Sequence, residues 1–208
     1  MGNTFDRIPI KEQARGIVSA QRSTCALACL VIALLALLLG GATAGVLAAL
    51  LSGLLQVAQS GFFLRLWRGE SVGVADMLAS MADDGFLRKV GGMLWVQLQV
   101  FLYSLLLIVP GLMRAYSLAL TPYILADYPN VPAKEALKIS MRMMRGYKAD
   151  LFILGLSYIG WYILCGLTFG LLLIFYVGPY SLCAYAGFYQ ERLAQCLADG
   201  TVREEELL

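Results

Sequence analysis

Arg114, Tyr116, Tyr123 and Asp127 lie within one stretch, PGLMRAYSLALTPYILADYPN (Pro110 to Asn130), which is otherwise apolar enough to sit in lipid. Charge is costly in hydrocarbon, so ionisable residues inside apolar segments mark functional sites by default. Tyr116, Leu120, Tyr123 and Asp127 follow helical spacing and share one face. Gln97 lies on a preceding apolar segment, and Tyr180 sits beside a Gly178-Pro179 break in a later one. Tyr116, Tyr123, Asp127, Gln97 and Tyr180 are therefore the candidate lining of a groove for a ligand or partner. The competing reading is ordinary packing, with tyrosines as interface belts and neutral polar groups such as Gln56, Gln59, Ser60, Ser117 and Thr121 bonding between helices.

Much chemistry is excluded. The 208 residues contain no histidine, which removes the commonest general base and most zinc, copper and haem ligation. The five cysteines form no CxxC pair and lie in or beside apolar runs, as small hydrophobes do. There is no GxSxG, HExxH, P-loop or carboxylate cluster spaced for metal. No catalytic residue, cofactor or metal is expected, nor any nucleic acid as partner.

The elements that must position these residues follow from composition. Hydrophobic residues make up 60% and charged residues 14%, with a mean hydropathy of +0.73, against about one-quarter charged in an ordinary soluble domain. Cys25 to Leu64 and Leu151 to Gln190 carry no charge at all, each run being 40 residues long, roughly twice one helical crossing. Breaks at glycine, proline and charge give six segments: Thr24 to Leu39, Thr43 to Leu66, Gly92 to Val109, Leu112 to Ala126, Leu151 to Thr168 and Gly170 to Tyr189. The expectation is an all-α polytopic membrane protein of six transmembrane helices, arranged as three helical hairpins with short cytoplasmic amphipathic helices. It forms a single integral membrane domain over 1–208: an N-terminal cytoplasmic segment (1–23), a six-helix bundle (24–190) and a cytoplasmic tail (191–208). Residues 1–44 imitate a signal peptide ending at ATA, but the apolar pattern resumes at once, so a retained first helix is expected. MGNTFD carries Asp6 where a myristoylation site needs Ser or Thr.

Charge sets the orientation. Fifteen of the sixteen lysines and arginines fall before Thr24, between Arg65 and Lys89, between Lys134 and Lys148, or after Tyr189; Arg114 stands alone. The positive-inside rule then puts both termini and both long loops in the cytoplasm, with Arg114 at the far end of the fourth segment. That end is about 20 Å from Asp127. Asp127, at a helix C-terminus, needs compensation by a turn cap or by a cation such as Arg145, Lys148 or Arg192.

VPAKEALKISMRMMRGYK reads as an amphipathic helix, with Pro132 at its start and Gly146 at its stop. Ala133, Ala136, Leu137, Ser140, Met141 and Met144 form its apolar stripe. Such a helix either lies on the inner leaflet or docks its stripe on the bundle. Lys134, Lys138, Arg142 and Arg145, together with Arg114, are the candidate contacts to lipid phosphate. SVGVADMLASMADDGFLRK is a shorter version, ended by Asp83-Asp84-Gly85.

YSLALTPYILADYPNVPAKEALKISMRMMRGYKADLFILGLSYIGW, followed by TFG and PYSLCAYAGFY, resembles the bacterial integral membrane proteins grouped as domain of unknown function 975. The likeness covers about Tyr103 to Tyr189. It departs at Gly155, where the family often has Asp, and at Tyr128, where it often has Asn. The resemblance implies a multi-helix bacterial membrane protein and supplies no activity. A more distant likeness to the membrane domains attached to glycerophosphodiester phosphodiesterases points to a lipid context. The functional expectation is a non-enzymatic, multi-pass protein of the bacterial inner membrane. Its partners would be membrane lipids, a membrane partner protein or further copies of itself. A small-solute or lipid transporter working as an oligomer is the alternative, and a membrane-surface enzyme acting on lipid head groups the third.

Overall fold

Glycine, proline and charge divide this chain into short helices, and the computed structural model places them in residues 7–42, 46–81, 85–167 and 172–207, the residues it describes. MGNTFD, Thr43 and Ala44, Asp83-Asp84 and the TFG stretch fall outside that set. The elements are α1 (Arg7–Ala20), α2 (Arg22–Ala42), α3 (Val46–Trp67), α4 (Val74–Ala79), α5 (Phe86–Leu106), α6 (Ile108–Leu118), α7 (Thr121–Asp127), α8 (Ala133–Met143), α9 (Lys148–Leu156), α10 (Ile159–Leu167), a π-helical turn (Leu173–Val177), α11 (Gly178–Ala198) and a 3₁₀ turn (Glu204–Glu206). No strand occurs among the described residues, and the chain is all-α.

Successive elements pack against each other at α1–α2, α2–α3, α3–α4, α5–α6 and α7–α8, and the π turn packs on both α10 and α11. The core gathers around α3 and α11, which touch each other and between them meet α1, α5, α7 and α8. Phe63, Leu64, Leu66, Ile124, Phe188 and Tyr189 are fully enclosed there. Gly187 permits the α3–α11 approach, because a Cβ at that position would lie 2.5 Å from the Trp67 ring.

Several boundaries differ from those expected. The N-terminal segment is itself a helix, α1, docked on α11 through Ile10, Ala14 and Val18. The last helix continues through 190 to Ala198. α5 begins six residues before the predicted third segment because Arg88 and Lys89 are helical residues whose charged heads reach other elements. The fourth segment is two helices rather than one. α6 ends at Leu118, and α7 starts with Pro122 in its first turn, where a missing N–H costs nothing. The fifth is likewise interrupted at Ser157 and Tyr158.

Among the described residues one helical stretch, Lys148–Cys165, is long and apolar enough to cross a membrane. Ile8–Ala20 with Arg22–Ala36, bent by 93°, would make a second if taken as one span. α8 packs on α5, α6 and α7; of its expected stripe Ala136, Leu137, Ser140 and Met144 are buried, Ala133 and Met141 only half-buried, and Ile139 and Met143 are buried with them. This is the second of the two arrangements its amphipathic pattern allowed.

Candidate functional site

The groove forms where α6 gives way to α7. Tyr116, Ala119, Leu120, Pro122 and Tyr123 line a cavity of about 300 Å³ whose opposite walls come from α3, α9 and α11. α3 contributes Gln56, Gln59 and Ser60, and α11 contributes Leu182 and Tyr185. The break at Ala119 and Leu120 opens this space, since a continuous helix would carry the chain straight past α3. Tyr123 is buried and stacks on Tyr189, with ring centroids 5.4 Å apart, while Tyr116 meets Phe152 edge-on at 5.9 Å. The cavity is thus mostly apolar, with two amides and a hydroxyl on one wall, a combination suited to an amphiphile or a small neutral solute.

Of the five residues expected to line one groove, Tyr116 and Tyr123 do so. Gln97 points to Ser52, its amide nitrogen 3.3 Å from the hydroxyl. Tyr180 packs edge-on against Tyr158, with centroids 5.2 Å apart, and lines a different space beside Arg15 and Arg22. Asp127 belongs to a third place at the end of α7.

There, Arg68 donates from Nη1 and Nη2 to the two Asp127 carboxylate oxygens at 2.6 and 2.7 Å, the bidentate fork that a guanidinium favours. Nη2 also reaches Gln190 at 3.2 Å, and the Tyr189 hydroxyl donates to Asp127 at 3.2 Å. The Asp127 side chain is 8% exposed and that of Arg68 32%. The hydrogen bond to Asp127 holds the Arg68 pKa above its ordinary value, so the guanidinium stays charged. Burial, and next the Asp127 charge, raises the neighbouring Tyr128 phenol. The expected compensation of Asp127 exists, but it comes from Arg68 rather than from Arg145, Lys148 or Arg192. Arg192 is occupied elsewhere: it donates to the Met143 carbonyl at 2.9 Å and lies 3.5 Å from the Tyr147 ring centroid.

Residues 89–195 match the family described as "Protein of unknown function (DUF975)". The chain belongs to this family. No curated protein and no solved structure matches it. The DUF975 stretch contains Tyr116, Tyr123, Asp127, α8 and most of α11, whereas Gln56, Gln59, Ser60 and Arg68 come from α3 and its end, before the matched residues. Both the groove and the ion pair therefore join the DUF975 region to the N-terminal part of the chain.

The cations proposed to face lipid phosphate divide. Lys138 pairs with Glu135 at 2.7 Å, and Arg142 pairs with Glu206 of the C-terminal tail at 2.7 Å. Lys134 and Arg145 are exposed. Arg114 is not set apart from the cationic helix, contrary to its expected place at the far end of its segment. It donates to Gln99 Oε1 from Nε and Nη2 at 3.1 and 2.6 Å, and its Nη1 lies 2.9 Å from Met141 Sδ on α8. The physical reason is that α8, once docked, carries its C-terminal end onto α6. Arg68 was counted among the cations between Arg65 and Lys89, but its pairing with Asp127 was not legible, because 59 residues separate the two.

Proposed function

We propose that this DUF975 protein is a non-enzymatic, multi-pass helical protein of the bacterial cytoplasmic membrane, with both termini on the cytoplasmic side, that binds a lipid in the groove under Tyr116 and Tyr123. One observation carries the reading. Large apolar side chains stay exposed in long runs, from Trp95 to Met113 and from Phe152 to Leu164, with Leu105 at 74% and Ile163 at 67%. Water tolerates isolated apolar side chains but not contiguous surfaces of this kind, which mark membrane or protein contact. The six apolar segments, paired as hairpins, would be the bilayer-embedded part, and the grouping of cations supports the cytoplasmic placement of the termini. The groove offers an acyl chain its apolar floor and a head group the amides of Gln56 and Gln59.

Alkaline carbonate extraction of membranes should leave the protein in the pellet, and lipid should co-purify with it from mild detergent. Ala119→Phe, which fills the groove, should reduce the co-purifying lipid severalfold at unchanged yield. Release by carbonate would overturn the membrane reading, and unchanged lipid in the variant would overturn the groove. A second reading, transport through the same groove, is favoured by the interrupted helices α6–α7 and α9–α10 beside it. Solute flux into proteoliposomes that Ala119→Phe blocks would select it.

A further inference from the structure

Arg114, Ser117 and Met141 meet Arg145, Lys148 and Ala149 around an open cavity of about 380 Å³, where α6 faces the turn between α8 and α9. Three of these residues are cations, and no acidic side chain is in the lining. Asp150, the nearest acid along the chain, is outside it and has a partner of its own. Lys138, Arg142 and Arg192 are already engaged by Glu135, by Glu206 and by the Met143 carbonyl. Arg145 and Lys148 have no side-chain acceptor among the described residues.

We propose that this corner binds a phosphate group, carried by a lipid head group. Arg114 is held ready for it. Gln99 fixes two of its nitrogens, while the third, Nη1, has only a thioether, a weak acceptor that a phosphate oxygen would displace. The first turn of α9 adds backbone donors. Lys148 and Ala149 open that helix and line the cavity, and the N-cap residue Tyr147 makes no side-chain cap bond, so the Lys148 and Ala149 end of the turn suits an anion, although Asp150 shares that turn. Gly146, with φ +87°, makes the turn that brings Arg145 and Lys148 to one side. Leu112 and Met113 on α6 and Phe152 and Ile153 on α9 are exposed next to the corner along the chain, an apolar surface for acyl chains. The same chemistry would hold free phosphate. The lipid assignment rests on the membrane reading above; the phosphate assignment does not.

The test uses the full chain in two forms. In nanodiscs of phosphatidylcholine with a minority of phosphatidylglycerol, native mass spectrometry counts the anionic lipid retained. In lipid-stripped detergent solution, the thermal midpoint is read with and without inorganic phosphate. R145Q/K148Q should lose anionic-lipid retention by about tenfold or more, the size expected for charge-assisted bonds. Lys138→Gln should leave retention unchanged, and the charge-keeping R145K/K148R should restore it. A phosphate-induced midpoint rise that R145Q/K148Q abolishes, with lipid retention indifferent to the variant, would assign the corner to the free ion and defeat only the lipid reading. If neither probe distinguishes R145Q/K148Q from the parent protein, the phosphate site does not exist.

Discussion

Asp127 ends α7 where the helix dipole disfavours an anion, and the fold answers with a forked guanidinium from the end of α3. The arrangement is asymmetric in its consequences. Arg68→Met leaves a nearly buried carboxylate with only the Tyr189 hydroxyl, whereas Asp127→Asn leaves a cation that is one-third exposed and can turn to water. Stranding a buried charge costs more than the pair contributes. Arg68→Met should therefore destabilise by about 3 kcal/mol and Asp127→Asn by about 1 kcal/mol, with the double variant recovering part of the larger loss. Thermal unfolding in one detergent measures all three, and equal losses from the two single variants would contradict the pairing. The need for a partner was readable from the sequence, because a carboxylate at a helix C-terminus is a local conflict. Which cation supplied it was not, since that depends on α3 and α7 lying side by side.

Helix ends repeat the same device. Arg88 on α5 donates to the Leu125 and Tyr128 carbonyls at the end of α7 and to that of Val131 in the loop before α8. Lys89 donates to Ser80 at the end of α4, Ser140 to Ser117 at the end of α6, and Arg192 to Met143 at the end of α8. Each satisfies carbonyls that a helix terminus leaves without partners. Counting cations along the sequence could not separate those caps from cations left at the surface. Arg142 illustrates a further use: it clamps the C-terminal tail through Glu206, beside the buried Val202 and Leu207. Arg142 holds the Glu206 pKa below its ordinary value. A depressed carboxylate pKa stabilises docking above the undocked value of about 4.3, and that contribution is lost as pH falls through the lower docked value. Amide protection factors of residues 199–207, exchange rates corrected for the intrinsic rate at each pH, should thus fall on acidification, and Arg142→Gln should show the lower protection already at neutral pH. Protection factors in the parent protein that ignore pH across this range would remove Glu206 as the clamp.

At the scale of the whole chain, apolar runs and breaker residues made the all-α class and the rough order of the long helices legible, because both follow from local composition. The interruption of α6–α7 was signalled by Pro122 but not its effect, which is to open a cavity against α3 rather than only bend a crossing. α1 was missed because a helix with polar residues on its outer face carries no long apolar run; its burial depends on α11. The largest difference concerns depth. With segment four a straight crossing, Arg114 would lie on the opposite side from the cations of the α8–α9 turn. Here Arg114 touches α8 and lines one cavity with Lys148, so the two residues share one side of the fold. Single cysteines at positions 114 and 148, in a chain whose five native cysteines are replaced, should react with an impermeant maleimide from the same face of sealed vesicles. In the membrane placement proposed above, that face is the cytoplasmic one. Labelling of position 114 from one face and position 148 from the other would restore the straight crossing and separate the cations that the docked α8 brings together.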